Sequence, residues 1–305
     1  MKETLVELRL WRQFVALADE LHFGRAAARL HMTQPPLTQA IANLERALEV
    51  RLFDRTKRSV QLTAAGHALL PQARELLARA LALPAQARAA AHGEVGRLRL
   101  AFVSTVGFGL LPQWVKAFRA LHPQVELELI EATGDVQLQA LERGDADAGF
   151  MLHSPDFGPE GLHRLRIARE PLVVALPEHH PLATARAMAF GALLEVPLVI
   201  FPRRILPSVH DAVFGMYHAG GRAPRIAQEA IQMQTIVNLV SAGLGLAWVP
   251  ESVRQFQRPG VVYRQVTGKM ARQVPNCETS LVWRDAANPT LDRFVEFARS
   301  RVAGR

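Results

Sequence analysis

The 305-residue sequence has very little cysteine, since Cys277 is its single example. One cysteine excludes an internal disulfide framework and a zinc or iron–sulfur site built from several thiolates. No apolar run approaches the roughly 18 residues that a membrane-spanning helix needs. The first residues, MKETLVELRLWRQF, lack the apolar core of a secretory signal peptide. These absences predict a cytoplasmic protein without a membrane segment.

Motifs of the large enzyme classes are also missing. The sequence contains no GxSxG, no P-loop motif, no GxGxxG opening a helix and no HExxH. Eleven histidines are present, yet none lies in a cluster typical of a metal site. The pair His179-His180 is interpreted as part of a surface loop. The sequence therefore predicts neither an enzyme nor a metal or other cofactor.

Positive charge is in excess and unevenly spread. The length corresponds to about two domains of roughly 100–200 residues each, and 49% hydrophobic with 21% charged residues is typical of a globular protein. Residues 1–92 carry 13 Lys/Arg and 8 Asp/Glu, a net charge of +5. Residues 93–305 carry 23 Lys/Arg and 20 Asp/Glu. Their net charge of +3 is therefore spread over more than twice as many residues. The charge favours an anionic partner for the N-terminal region.

The N-terminal region has the pattern of a helix-turn-helix. Apolar residues recur at three- and four-residue intervals and predict an amphipathic helix over about 5–20. A short helix over 23–30 follows, His31-Met32 forms a turn, and Thr33 is the expected N-cap of a third helix. A polar face on such a helix is typical of base reading in the major groove. The face comprises Thr33, Gln34, Pro35, Thr38, Gln39 and Asn43. The alternative is a three-helix bundle with a polar solvent face.

A basic segment follows the third helix. Residues 50–62 predict two short extended pieces around a tip, which is typical of a wing. Arg55, Lys57 and Arg58 would there contact DNA phosphates or enter a narrow minor groove.

From Phe14 to Gly66 the chain resembles the winged helix-turn-helix of the LysR-type transcriptional regulators. The resemblance rests on AAARLH, TQPPLT, IxxLE, LF-R and LTxAG, without a gap. It implies a regulator that binds promoter DNA and has RNA polymerase as a partner. Gln39 stands where many family members carry arginine, which replaces a bidentate guanine contact by an amide better suited to adenine.

The segment after the wing predicts a long helix with a self-pairing seam. Apolar residues recur along this helix at alternating intervals of four and three residues, as in a coiled coil. The seam consists of Leu69, Ala73, Leu76, Ala80 and Leu83, and it continues to Ala87 and Ala90. Pro71 and Pro84 are expected to kink this helix. Packing against its own chain is the alternative, whereas the family resemblance implies a dimer and a dimer of dimers.

Strands and helices alternate beyond the glycines of His92–Gly96, which predict a hinge. Such alternation implies βαβ units with much parallel pairing. The element order describes two α/β lobes and resembles the periplasmic-binding-protein-like effector domain of the same family. The predicted fold is therefore multi-domain: a mainly α winged helix-turn-helix over 1–62, a linker helix over 63–92, and an effector domain over 93–305, with lobe I about 97–168 plus 270–305 and lobe II about 169–269.

Ligands of open α/β sheets bind beyond the carboxyl ends of strands, between lobes. This position selects Ser104, Thr105, Thr133, Phe201, Arg203 and Arg204. The Ser104 and Thr105 hydroxyls either cap the next helix or bind an anion, and the two arginines form either a solvated pair or a carboxylate clamp. Gln232, Met233 and Gln234 face the same cleft and are expected to pack.

The segment FVSTVGFGLLP resembles that of family members responding to aromatic carboxylates, which implies a small organic acid as effector. Gly134 stands where some relatives have a second effector-binding threonine. Two other functions were weighed. A small-molecule binding module without a regulatory role is disfavoured by the wing, and a sequence-indifferent DNA binder is disfavoured by the modest N-terminal charge and the large second domain.

Overall fold

The computed structural model describes residues 5–56, 59–185 and 190–304, without side chains at 268–270. It divides into two compact units, Met1–Arg88 and Ala89–Arg305. Each unit is described by itself. The division of the sequence into 1–62, 63–92 and 93–305 stays a prediction.

The N-terminal unit contains the expected helix-turn-helix and wing. Its elements are α1 Leu8–Glu20, α2 Phe23–Arg29, α3 Gln34–Leu48, β1 Phe53–Arg55, β2 Val60–Leu62 and α4 Ala64–Ala91. The turn before α3 has His31 at a φ of 56°, which closes the bend between α2 and α3. Strands β1 and β2 are antiparallel, with Phe53 opposite Leu62.

One apolar core joins all three helices to the wing and to the start of α4. Phe14, Leu37, Leu44 and Phe53 are fully or almost fully buried in it. Gly66 allows α4 to approach the wing, because a Cβ there would lie 2.3 Å from the Leu52 carbonyl oxygen. The glycine of LTxAG is thus required for close packing and not for a turn.

Helix α4 is continuous over 28 residues, with Pro71 and Pro84 inside it. The expected kinks therefore do not end the helix. The glycine segment predicted as a hinge follows α4. Its first residues form a turn that packs against Pro289 and Arg293 of α12. Gly93 has a φ of 66° and packs so tightly that a Cβ would lie 2.4 Å from the Pro289 carbonyl carbon. Arg293 Nη2 pairs with Glu94 Oε1 at 3.1 Å, and its Nε donates to the His92 carbonyl.

The C-terminal unit is α/β and has two lobes. Lobe I contains β3 Gly96–Phe102, α5 Ser104–Gly107, α6 Leu110–Leu121, β4 Val125–Glu131, α7 Gly134–Arg143, β5 Ala148–His153, β11 Asn276–Trp283 and α12 Pro289–Ala303. Lobe II contains α8 Pro181–Thr184, α9 Phe190–Leu193, β7 Leu198–Ile200, α10 Pro207–Ala219, β8 Ile226–Glu229, α11 Met233–Ser241, β9 Ala247–Pro250 and β10 Val261–Arg264, with 3-10 helices Glu251–Gln255 and Gly268–Gln273 after β9 and β10. The long strand β6 His163–Pro177 joins the two lobes.

The sheet is mixed, so the expected parallel pairing holds only in part. Strand β3 is parallel to β4 and β5, and β7 is parallel to β8. The longer sheet has the order β10-β6-β11-β5-β3-β4, with β9 also paired to β6. Strand β11 returns antiparallel to both β5 and β6. The first half of β6 pairs with β11 and the second half with β9 and β10, so each lobe builds its own apolar core on this shared strand.

Candidate functional site

Helix α3 exposes the polar face that the sequence predicts. Leu37, Ile41 and Leu44 are fully buried, so the opposite side of α3 faces solvent. The outward residues are Thr33, Gln34, Pro35, Thr38, Gln39 and Asn43, of which only Thr38 is half-buried. Thr33 is the N-cap of α3, but its side chain makes no capping hydrogen bond.

An amide pair lies at the centre of this face. Gln39 Nε2 donates to Asn43 Oδ1 at 3.0 Å, and Arg46 Nη1 donates to the same oxygen at 3.0 Å. The Gln39 carbonyl oxygen and the Asn43 amino group therefore remain as an acceptor and a donor. Both kinds of group are needed to distinguish base pairs in the major groove.

The wing is held against α3 by an ion pair that involves Arg55, whose expected contact with DNA stays a prediction. Glu45 Oε1 accepts hydrogen bonds from the backbone N–H groups of Leu52 and Phe53, at 2.9 and 3.1 Å. Its other oxygen binds Arg55 Nη2 at 2.5 Å, and the Arg55 guanidinium lies 5.2 Å from the centre of the Phe23 ring. Arg55 is therefore already engaged by its own chain. Lys57 and Arg58 lie outside the described residues.

The predicted seam of α4 has two parts. Ala73 is 2% exposed and Leu69 half-buried, and both pack into the core of their own unit. This contact corrects the expectation that the two residues are free for self-pairing. Leu76 and Leu83 are 43% and 61% exposed, and Ala80 is half-buried. The exposed seam therefore begins at Leu76.

Two connected openings lie between the lobes of the C-terminal unit. The narrow cavity, about 50 Å³, is lined by Ser104, Thr105, Thr133, Gly134, Phe201 and Gln232, with apolar walls from Val103, Ala132, Leu152, Ile205, Leu206, Ile231 and Met233. The wide groove, about 900 Å³, shares Gly134, Leu152, Ile205 and Leu206 with it. The two openings are therefore neighbours that share part of their walls.

Buried hydroxyl groups supply the polar part of the narrow cavity. Ser104 and Thr105 are 8% and 7% exposed. Helix α6 is capped by Gly109, so these two residues do not cap it as one interpretation expected. Thr105 Oγ1 is buried and has no hydrogen-bond partner in the described part of the chain. Buried polar groups in native proteins are normally paired with protein or ordered water, so this hydroxyl is a candidate for a ligand contact.

Thr133 and Arg203 are committed to intramolecular contacts. The Thr133 hydroxyl donates to Asp135 Oδ1 at 2.5 Å, so it is not a free donor. Arg203 forms a bidentate pair with Asp211 at 2.8 and 2.7 Å and lines neither opening. Hydrogen bonding between the two raises the pKa of Arg203 and lowers that of Asp211. Arg203 is thus not the expected carboxylate clamp, whereas Arg204 lines the wide groove.

Within residues 5–56, 59–185 and 190–304, no group of three or more His, Cys, Asp or Glu side chains could hold a metal ion. Among the same residues, no helix has both the length and the apolar character needed to cross a membrane.

Two family descriptions match the chain. "Bacterial regulatory helix-turn-helix protein, lysR family" matches residues 8–67, and "LysR substrate binding domain" matches residues 91–303. The chain belongs to the LysR family of transcriptional regulators. Like its relatives, this LysR-type regulator is a DNA-binding protein with an effector-binding domain and is not an enzyme.

Relatives match this regulator over nearly its whole length. The transcriptional regulator IlvR of Caulobacter vibrioides is 47% identical over 292 residues, covering 95% of this chain and 96% of the relative. AlsR of Bacillus subtilis is 36% identical over 294 residues, covering 96% and 95%. The structure of full-length CbnR with its target DNA has a TM-score of 0.81 at 31% identity, covering 97% of this chain and 100% of CbnR.

Sequence reasoning missed several walls of the narrow cavity. Ile205 and Leu206 were not singled out, and Gln232 and Met233 were expected only to pack. These residues follow β7 and β8, just as Ser104 follows β3. The rule that ligands bind beyond strand ends could have selected them.

Proposed function

We propose that this regulator binds promoter DNA as a dimer, assembled further into a dimer of dimers, and that a small carboxylate effector in the narrow cavity changes its effect on transcription. The unpartnered Thr105 hydroxyl at the cavity wall carries the effector proposal. RNA polymerase is the proposed partner at the promoter. Because the target is chromosomal DNA, the proposed location is the cytoplasm.

The groups around the cavity favour one carboxylate in the effector. The Ser104 and Thr105 hydroxyls can donate to carboxylate oxygens, and hydrogen bonds to a charged group contribute about 1.5–3 kcal/mol each. Leu138, Met151 and Phe157 give the wide groove apolar surface for the ligand's body. The groove is also lined by Asp135, Asp156, Glu160 and Asp211, of which Asp211 is paired with Arg203, and by one arginine, Arg204. Carboxylates outnumber the arginine there and would repel a second carboxylate, so a monocarboxylate fits best.

The exposed part of α4 supports the proposed dimer. Leu76 and Leu83 are seven residues apart on one side of the helix and both are largely exposed. Pairing with a second copy would remove this apolar surface from water, at about 25 cal/mol per Å² buried. Two linked winged domains would also match an operator with two half-sites.

The effector proposal is tested by thermal denaturation of the full chain. Benzoate, phenylacetate and isobutyrate are each added beside the primary amide of the same skeleton, which has the same shape without the charge. A ligand that binds only the folded state raises the melting temperature. We expect at least one carboxylate to stabilise the protein more than its amide, and Ser104→Ala to reduce that shift. Equal shifts for every acid and amide pair would overturn the proposal.

A further inference from the structure

A second cavity lies between the lobes, separate from the narrow cavity and the wide groove. It has a volume of about 220 Å³, and we name it the Glu170 cavity after its carboxyl group. Thr105 of α5 and Gln113 of α6 line it from lobe I, and Ser252 and Gln255 of the 3-10 helix after β9 line it from lobe II. Thr105 is a wall residue of both this cavity and the narrow cavity.

The two lobes contact each other at the Glu170 cavity. The Gln255 side chain lies so close to Gly109 that a Cβ there would be 2.0 Å from Gln255 Oε1, and both residues line the cavity. The residues that follow and precede them in the chain also meet, since the Phe108 and Phe256 rings stack with centroids 5.2 Å apart and planes at 16°. The cavity is therefore formed by both lobes.

Glu170 is the one ionisable residue among those lining the cavity in the described part of the chain. Its Oε2 accepts a hydrogen bond from the Ser252 backbone N–H at 2.5 Å, and its Oε1 accepts one from the Ser252 hydroxyl at 3.1 Å. Each carboxylate oxygen can accept a further bond. Burial raises the pKa of Glu170, the two hydrogen bonds from Ser252 lower it, and the nearby Glu251 carboxylate raises it. Among the side chains that the structure describes, no Lys, Arg or His forms an ion pair with this carboxyl group, and a cationic ligand would supply one.

The other lining groups complete a site for an ammonium group. Thr105 is 7% exposed, and its hydroxyl, which has no hydrogen-bond partner among the residues that the structure describes, can accept a hydrogen bond. The side-chain carbonyls of Gln113 and Gln255 are further acceptors. Val106, Leu110 and Ala168 form the apolar remainder of the lining. We propose that the Glu170 cavity binds a small primary ammonium compound with a short apolar chain, as a second ligand site of this regulator.

The test uses n-butylammonium as the probe, with 1-butanol as the neutral molecule of the same chain length. Binding to the full-length protein is measured by saturation-transfer NMR and titration calorimetry. We expect butylammonium to bind and butanol to bind at least ten times more weakly. Equal binding of the two would overturn the proposal, because the ammonium group would then not be recognised. The probe carries no carboxylate, so its result is independent of the carboxylate effector proposed for the narrow cavity.

Variants locate the bound probe. Glu170→Gln removes the charge and keeps an acceptor for Ser252, and it should weaken butylammonium binding at least ten-fold. Glu126→Gln is the matched control, because it removes an exposed carboxylate of the same unit that neither lines the cavity nor shifts the pKa of Glu170, and its affinity should stay within two-fold of wild type. Ala168→Leu fills the cavity while leaving Glu170 in place and should also abolish binding, which keeps the test decisive if Glu170→Gln unfolds. Wild-type affinity in Ala168→Leu would overturn the proposal.

Discussion

The DNA-facing region and the ligand-facing region of this regulator are built in opposite ways. The face of α3 comes from one continuous segment, Gln34–Leu48, whose buried and exposed residues alternate with the helical period. The narrow cavity comes from separate segments that follow β3, β4, β7 and β8. A helical face can be predicted from spacing alone, whereas a cavity depends on which strand ends the topology brings together.

The polar groups of the two regions are also in different states. On α3, Gln39 and Asn43 are exposed and bonded to each other, so water can satisfy their remaining groups. In the narrow cavity, the Thr105 hydroxyl is buried and has no hydrogen-bond partner within the part of the chain that the structure describes. A buried unsatisfied group costs about 1–3 kcal/mol. Ligand binding would recover that energy, so the cavity is expected to respond to a ligand and the α3 face to stay unchanged.

The largest expected effect tests the seam that would bring two α3 faces together. Leu76→Glu places charge in the proposed helix pair, and unpaired charge is costly to bury. The protein should become monomeric, and operator affinity should fall by about two orders of magnitude, since linked sites gain about 10²–10⁴ in avidity. Light scattering and band-shift titration measure the two effects.

Leu81→Glu is the matched control for this substitution. Leu81 lies on the same helix, is 81% exposed and is not a seam residue. It should therefore keep the wild-type mass and operator affinity. If Leu76→Glu also kept both, α4 would pack only within its own chain.

A second prediction compares the buried Ser104 hydroxyl with the exposed Arg203 guanidinium as the group that binds the carboxylate. Ser104→Ala removes a hydroxyl donor from the narrow cavity and should weaken carboxylate binding by about 1.5–3 kcal/mol, the value of a hydrogen bond to a charged group. Arg203→Ala should leave that affinity unchanged, because Arg203 lines neither opening and its guanidinium is already paired with Asp211. Calorimetry with the stabilising carboxylate measures both. A larger loss of carboxylate affinity for Arg203→Ala than for Ser104→Ala would show that Arg203 binds the carboxylate.

A third prediction concerns base reading by α3. Gln39→Ala should cost about 1–3 kcal/mol at one base pair and relax the preference there. Selection of bound sequences from a randomised operator, followed by titration, measures the change. The control is Glu49→Ala, because Glu49 is exposed and lies just beyond the C-terminal end of α3. An equal loss on specific and random DNA would show that Gln39 does not read a base.

The smallest expected effect distinguishes two arginines of the wing. Arg58→Ala should reduce the salt dependence of DNA binding by about one unit of slope, as expected for one lost phosphate contact. Arg55→Ala should leave the slope unchanged and lower the melting temperature of the N-terminal unit, because Arg55 binds Glu45 and lies over Phe23. Band shifts at several salt concentrations measure the slope. A reduced slope for Arg55→Ala would show that Arg55 contacts a DNA phosphate.

Most of the fold was predictable because its elements have clear periods. The helices expected over about 5–20 and over 23–30 are found at Leu8–Glu20 and Phe23–Arg29. The first half of β6 was missed because its residues, such as Arg164 and Arg166, read as polar, although they pair with β11. Strand β10 was missed as well. Its edge position on β6 leaves all four of its residues only half-buried.

Candidate site residues were predictable by position but not by partner. Ser104 and Thr105 lie beside the cavity as expected, since the end of a strand is visible in the sequence. The ion pairs of Arg203 with Asp211 and of Arg55 with Glu45 could not be predicted from the sequence, because each depends on how the chain folds back on itself. Glu170 lies inside a long strand, and its cavity requires residues from both lobes.

The central claim is that a carboxylate in the narrow cavity changes how this regulator occupies DNA. The most direct measurement is a footprint of the full chain on an operator selected by the protein itself, with and without the carboxylate that stabilises it most. The account predicts that the ligand changes the footprint of wild type, and that Ser104→Ala protects the same DNA but no longer responds at that ligand concentration. A footprint of Ser104→Ala that responds like wild type would contradict the account.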